Sequence, residues 1–397
     1  MLLGLVGRPN TGKSTFFKAA TLADVLIANY PFATIKPNRG IGYVKVDCID
    51  KDFGVQCMPR TGYCIDHIRF VPVELMDVAG LVEGASKGKG LGNQFLDDLR
   101  QADAFIQIVD CSGETDAEGK ATKNYNPVND VRMLENEIDL WYLGILKKVW
   151  RPFARTLQLS KEKENFAAAV AKQFTGLKVR DDDVKEVLLK LKYNSEKPAE
   201  WTEEQLFSFA HELRVLTKPM IIAANKIDKE DAAENLEHLK HAHSNAIIIP
   251  CAADSELALR EASKAGMIEY IPGEKNFKIN EDKVTEHQKQ ALHSIKKNVL
   301  DIYGSTGVQN ILDTAVFKLL KHIAIFPAGA SKLADSKGNI LPDCFLVKQG
   351  TTALDFAFML HTDLGKNFIK AINAKTKQVI GKDYIIKHRD GIEIITR

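Results

Sequence analysis

Compact apolar runs punctuate the chain at LLGLVG, FVPVELMDV, AFIQIVD, KPMIIAAN and AIIIPC. Runs of this length, bounded by Gly, Asp or Asn, predict strands buried on both faces. The first is broken by GRPNTGKS and followed by TFFKAATLADV, where helical spacing resumes. The N-terminal segment therefore reads strand, glycine loop, helix. Long helix-rich stretches separate the last three strand segments, the pattern of a parallel sheet covered on both sides. Loops at the carboxyl edge of such a sheet carry ligands.

About a hundred residues lie between VDCSGETDAEG and KPMIIAANKID, far more than one crossover helix needs. Within them VNDVRMLENEIDLWYLGILKKVW, KENFAAAVAKQF, RDDDVKEVLLKLKY and TEEQLFSFAHELRVL interleave charged residues with Leu, Phe and Val at helical intervals. This predicts an inserted helical subdomain, made of packing helices or of an exposed hairpin that meets a partner. Further helices are expected over roughly 283–323. Beyond them, strand-like FLV and VIGKDYIIKHRDGIEIITR flank helix-like TALDFAFMLHTDLGKNFIKA, a small α+β domain. The fold class is thus α/β, with a helical insertion and a small C-terminal α+β domain. The expected boundaries are 1–128 and 217–272 for the sheet domain, 129–216 for the insertion, 273–322 for a helical connector and 323–397 for the last domain.

At 397 residues the chain is long enough for two or three domains. Lys plus Arg number 54 against 52 for Asp plus Glu, so no global charge drives the chain to nucleic acid or to an anionic membrane. No apolar run approaches the ~18 residues of a spanning helix. Six scattered cysteines and an N-terminus that starts as an apolar strand, without a cleavable signal, suggest reduced thiols and a cytoplasmic location. Cys57, Cys64 and His67 form C-x6-C-x2-H, which is not a usual zinc spacing, and no fourth ligand is obvious nearby.

Gly7 to Ser14 fit the Walker A pattern. The glycines let backbone N–H groups turn around a phosphate, and the helix starting near Lys13 presents its positive end. Arg8, Pro9, Asn10, Thr11, Gly12, Lys13, Ser14 and Thr15 are the candidate phosphate-loop residues. Lys13 would reach the β- and γ-phosphates, and Ser14 would give a hydroxyl to magnesium, Mg²⁺. The alternative is a plain glycine turn between strand and helix. Asp77-Val78-Ala79-Gly80 ends an apolar strand, where Asp77 would hold Mg²⁺ through water and the Gly80 N–H would sense the γ-phosphate. Asn225-Lys226-Ile227-Asp228 follows MIIAA. The Asp228 carboxylate can accept from guanine N1–H and N2–H₂, a donor pair adenine lacks, so GTP is expected over ATP. The Lys226 stem can lie across the base, and Asn225 can tie this motif to the glycine loop. Cys251 and Ala252 sit where backbone N–H groups would meet the guanine O6, or form an ordinary strand-end turn. Leu81 follows Gly80, where a glutamine would orient water in Ras-like switches. Slow hydrolysis follows unless another group positions the water, such as a potassium ion, K⁺, held by Asn10.

GRPNTGKS, YPFATIKPN, DVAGLVEGASKGKGLGNQFL, NKID and the final β-helix-β segment together resemble the Obg-related GTPases, closest to the YchF branch, over most of the chain. The resemblance implies a helical insertion, a C-terminal TGS domain of β-grasp form, and a hydrophobic residue after the Gly80 position. It makes Thr34 the candidate switch I threonine on Mg²⁺ and the γ-phosphate. It also implies a GTP/GDP-binding switch that hydrolyses GTP and is linked to the ribosome or RNA; a monomer is expected separately. YchF proteins usually carry an NxxE-type sequence and can use ATP, whereas this chain keeps Asn225, Lys226 and Asp228. An ATP-using regulator acting mainly through protein partners is the alternative. VDCSGETDAEG also departs from the family pattern.

Overall fold

The computed structural model describes residues 1–22, 38–78, 84, 100–159, 166–329 and 332–397. Strand β1 (Leu2–Val6) turns through the glycine loop into helix α1 (Lys13–Thr21), and β2 (Arg39–Asp47), β3 (Tyr63–Ile65), β4 (Ile68–Asp77) and β5 (Ala104–Asp110) follow. Next come helices α2 (Val128–Leu159), α3 (Phe166–Gln173), α4 (Asp181–Leu191) and α5 (Glu203–Thr217). The alternation then resumes as β6 (Met220–Asn225), α6 (Ala232–Ala242), β7 (Ile247–Pro250) and α7 (Ala253–Lys264). Two compact units emerge, one of Met1–Phe17 with Leu75–Asp254, the other of Lys18–Glu74 with Ser255–Arg397.

In the first unit β1, β5, β6 and β7 lie side by side in that order, every pair parallel. All of β1 and β5 is buried, which is why both read as mainly apolar runs. Gln107, the polar exception in β5, donates from Nε2 to the Asp130 carbonyl at 3.1 Å. The insertion is helical, as its periodicity predicts. Along α2, Leu134, Ile138, Trp141, Tyr142, Leu146 and Trp150 recur at three- and four-residue steps and enter one apolar core with Leu2 and Val6 of β1 and Phe105 of β5. Buried Asp139 on α2 accepts from Arg214 Nε of α5 at 2.7 Å, fixing how these helices meet.

In the second unit β3 and β4 form an antiparallel hairpin in which Cys64 faces Arg69. Its turn places Asp66 and His67 at φ of 48° and 62°. The short hairpin β8 (Ile268–Tyr270) and β9 (Phe277–Ile279) precedes helices α8 (Glu286–Ile295) and α9 (Val308–Asp313). The C-terminal segment supplies β10 (His322–Pro327), β11 (Phe345–Lys348), α10 (Ala353–Leu360), α11 (Thr362–Lys366), β12 (Phe368–Asn373), β13 (Val379–Ile380) and β14 (Gly391–Thr396). Its sheet runs β11-β10-β14-β12-β13, with β10 parallel to β14 and the other pairs antiparallel. Phe356 of α10 packs on Ile325, Val347 and Ala371 beneath it.

One sequence expectation is corrected here. The helix-like stretch does not run through NFIKA, because Phe368–Asn373 is strand β12, paired with β14. That partner lies far along the chain, so a tertiary ladder overrides the local preference. Among the described residues no helix is long and apolar enough to cross a membrane.

Candidate nucleotide-binding site

The loop after β1 depends on glycine twice. Gly7 has φ of 151°, and a Cβ there would drive into the Ile108 carbonyl of β5. Gly12 has φ of 95°, and its Cβ would strike Asn225 Nδ2. Between them Asn10 adopts φ of 62°, a left-handed conformation that Asn tolerates better than most residues. The Lys13 ammonium folds back to donate to the Arg8 carbonyl at 2.6 Å, and Thr11 Oγ1 donates to the same oxygen at 3.1 Å. Burial lowers the Lys13 pKa, with Asp77 opposing.

Ser14, exposed at the start of α1, donates from Oγ to Asp77 Oδ2 at 3.1 Å. Burial raises the Asp77 carboxyl above its usual range, while Ser14 and Lys13 pull it down. A hydroxyl and a carboxylate therefore face each other beside the lysine. Pro9 and Thr15 are half-buried. Thr34, Gly80 and Leu81 lie outside the described residues.

Asn225 at the end of β6 bridges distant loops. Its Nδ2 donates to the Thr11 carbonyl at 2.9 Å, and its Oδ1 accepts from the Ala253 N–H at 3.1 Å. The Ile227 N–H bonds the Cys251 carbonyl at 3.1 Å, and both Cys251 and Ala252 are fully buried. Asp228 is exposed. The structure thus brings Lys13, Ser14, Asp77 and Asn225 to one sheet edge, with Lys226 and the loop after β7 alongside.

Several participants escaped the motif reading. Asp110 ends β5 with 1% of its surface exposed and accepts from Lys226 Nζ at 2.7 Å, Ser112 Oγ at 2.6 Å and Thr115 Oγ1 at 2.5 Å. Burial pushes its pKa up, but Lys226, Ser112 and Thr115 outweigh that and leave it lowered. The unusual VDCSGETDAEG loop lies over the glycine loop. Arg8 Nη1 donates to the Ala117 carbonyl at 2.5 Å, Asn10 Nδ2 donates to the Gly119 carbonyl at 2.8 Å, and Arg8 Nε sits 2.6 Å from Asp130 Oδ1. One signal was present for Asp110, a carboxylate closing a strand of the same sheet as Asp77 does. Asp130, inside an amphipathic helix pattern, offered none.

Three family descriptions match the chain: a 50S ribosome-binding GTPase over residues 2–141, an Obg-like GTPase YGR210-like, G4 motif-containing domain over 223–329, and a TGS domain over 335–396. A GTP-binding protein of Methanocaldococcus jannaschii is 50% identical over 397 residues, covering 100% of this chain and 99% of its own. The ribosome-binding ATPase YchF of Bacillus subtilis is 30% identical over 425 residues, covering 98% and 97%. Among solved structures, a GTP binding protein from Pyrococcus horikoshii OT3 is 40% identical with a TM-score of 0.80, covering 100% of both chains.

Proposed function

This chain belongs to the Obg-like P-loop GTPases of the YchF branch, with a C-terminal TGS domain, and from that membership we propose that it binds Mg²⁺·GTP and slowly hydrolyses it to GDP and phosphate. The observation that carries the reading is Asn225, whose amide joins Thr11 of the phosphate loop to Ala253 behind the base motif. Phosphate and base recognition are thereby held in one frame. Exposed Asp228 then offers its carboxylate to the guanine N1–H and N2–H₂. Adenine would leave that carboxylate unpaired.

The residues fit Mg²⁺. Ser14 Oγ and Asp77 Oδ2, hard oxygen donors 3.1 Å apart, are the donor types this ion takes. Bound there, the ion would neutralise charge on the β- and γ-phosphates. Lys13 adds a second positive charge, and the backbone N–H groups of residues 10–15 orient the phosphates. Thr34 and Gly80 are the proposed switch contacts. With Leu81 after Gly80, the water is positioned by something other than a glutamine. Asn10 with K⁺ is one such device, and hydrolysis rates identical in potassium and sodium would remove it.

Isothermal titration of GTP and ATP tests the central reading, which fails if ATP binds equally or better. The name of the Bacillus subtilis relative favours a second reading, an ATP-using regulator acting through protein partners, and that titration separates the two. The same relative motivates a ribosome or RNA link, in a monomeric cytoplasmic protein. GTP-loaded protein confined to the light fractions of a ribosome gradient would count against that link.

A further inference from the structure

A second cluster of ligand-type side chains lies in the other unit and shares no residue with the phosphate and base motifs. Cys48 follows β2, Asp50 sits in the short turn Ile49–Phe53, Cys57 is in the next loop, and Cys64 is on β3. One ligand atom from each of these four lies within 4.8 Å of the others. Cys57 and Cys64 thus gain two companions that local spacing did not suggest. His67, grouped with them by spacing, instead places Nδ1 2.9 Å from Asp50 Oδ1.

We propose that Cys48, Asp50, Cys57 and Cys64 form a tetrahedral site for one zinc ion that staples the loop between β2 and β3. Zinc–sulfur bonds of ~2.3 Å put neighbouring sulfurs of a tetrahedron about 3.8 Å apart. The Cys48 and Cys57 sulfurs are 3.6 Å apart, and Cys64 Sγ is 3.9 Å from Asp50 Oδ2. A disulfide would require ~2.05 Å. Asp50 is 0% exposed, Cys48 1% and Cys57 4%, while Cys64 is half-buried and marks the entry side. A carboxylate within reach of three thiols is a donor set for a cation, and soft sulfur donors favour zinc over magnesium or calcium.

The surroundings are those of a supported metal site. Asp50 is oriented by His67 on one oxygen and by the Cys57 N–H at 3.0 Å on the other, the outer hydrogen bonding that fixes metal ligands. Three thiolates and a carboxylate exceed the ion's charge. Buried Arg69, with Nη1 3.6 Å from Cys57 Sγ, offsets part of the excess. Arg69 also donates to the Leu341 and Pro342 carbonyls at 3.1 and 2.7 Å. The same loop sends the Met58 and Arg60 N–H groups to the Ile340 and Pro342 carbonyls at 2.8 and 2.9 Å. Closing the loop on zinc would therefore fix the segment that leads into β11.

The test starts from the full chain purified under reducing conditions, without chelator and without a metal-affinity column. Elemental analysis should give one zinc per chain. The Cys57→Ser/Cys64→Ser double variant should lose it, and His67→Ala, which removes only an outer hydrogen bond, should keep it with affinity about 10–100-fold weaker. Because the double variant could misfold, the wild-type chain is also stripped and titrated with cobalt alone. One equivalent should produce the intense visible bands of tetrahedral thiolate cobalt, abolished by one equivalent of zinc. A folded, zinc-free wild-type chain without those bands overturns the proposal. So does zinc retained by the double variant, or a denatured, metal-stripped chain in which only four of the six cysteines titrate as thiols.

Discussion

Asn225→Ala removes the bridge between phosphate loop and base motif. Asn225 is 3% exposed, and its amide makes a 2.9 Å bond to the Thr11 carbonyl and a 3.1 Å bond from the Ala253 N–H. Truncation leaves both backbone groups without that partner. Each such buried group costs about 1–3 kcal/mol, so the pair costs about 2–6 kcal/mol. That sum divides between the fold and the bound state, because both loops belong to the proposed nucleotide site. If about 2 kcal/mol falls on binding, GTP affinity drops about 30-fold. Asn225→Asp is the sharper variant. It keeps an acceptor for the Ala253 N–H but turns a carboxylate oxygen toward the Thr11 carbonyl, and should lose more than alanine does. Urea unfolding of the nucleotide-free chain reads the first share as a lower midpoint, and isothermal titration with GTP reads the second. An alanine variant with an unchanged midpoint and a GTP Kd within about twofold of wild type would refute this reasoning, as would an aspartate variant equal to wild type.

Lys226→Met probes the buried Asp110 carboxyl. Its folded pKa is lowered below the unfolded value, so its stabilisation is present above ~3.9 and is lost as pH falls through the lowered pKa. The variant should be less stable than wild type near neutral pH, with the gap closing in acid; urea midpoints that differ by a constant amount at every pH would contradict this. Asp228→Asn should weaken GTP by about 100-fold or more and shift preference toward xanthosine triphosphate, whose base presents the complementary pattern; competition titration checks it, and unchanged preference removes Asp228 from the base pocket. Phe209→Ala in the insertion, at 0% exposure and with its ring 5.4 Å from that of Trp201, should cost about 3–5 kcal/mol in urea unfolding. A loss below about 1 kcal/mol would mean that this aromatic cluster does not hold the helices together.

Much of the fold was legible because its signals are local. Residues buried on both faces of a parallel strand are mostly apolar, so β1, β5 and β6 show themselves as runs. The insertion is legible for the same reason at a different period, since Leu134, Ile138, Trp141 and Tyr142 mark one face of α2. Strand β3 has only three residues, half-buried or exposed, and gives no such pattern. Strand β12 was masked by helix-like neighbours until β14 paired with it.

By itself the sequence determined the chemistry that depends on contiguous residues. Gly7 to Ser14 and Asn225 to Asp228 are recognisable because neighbouring backbone groups and side chains do the work within a few positions. Tertiary structure alone decided which distant groups complete them. Asp110 meets Lys226 across 116 positions, and Asn225 meets Thr11 across 214. In the other unit, Asp50 and Cys48 join Cys57 and Cys64 because the β3–β4 hairpin and the preceding turn fold them together. The physical reason is common to all three. A spacing in sequence encodes direction only along one helix, strand or turn, whereas pairing of remote charges and ligands is set by how the strands order and where the loops close.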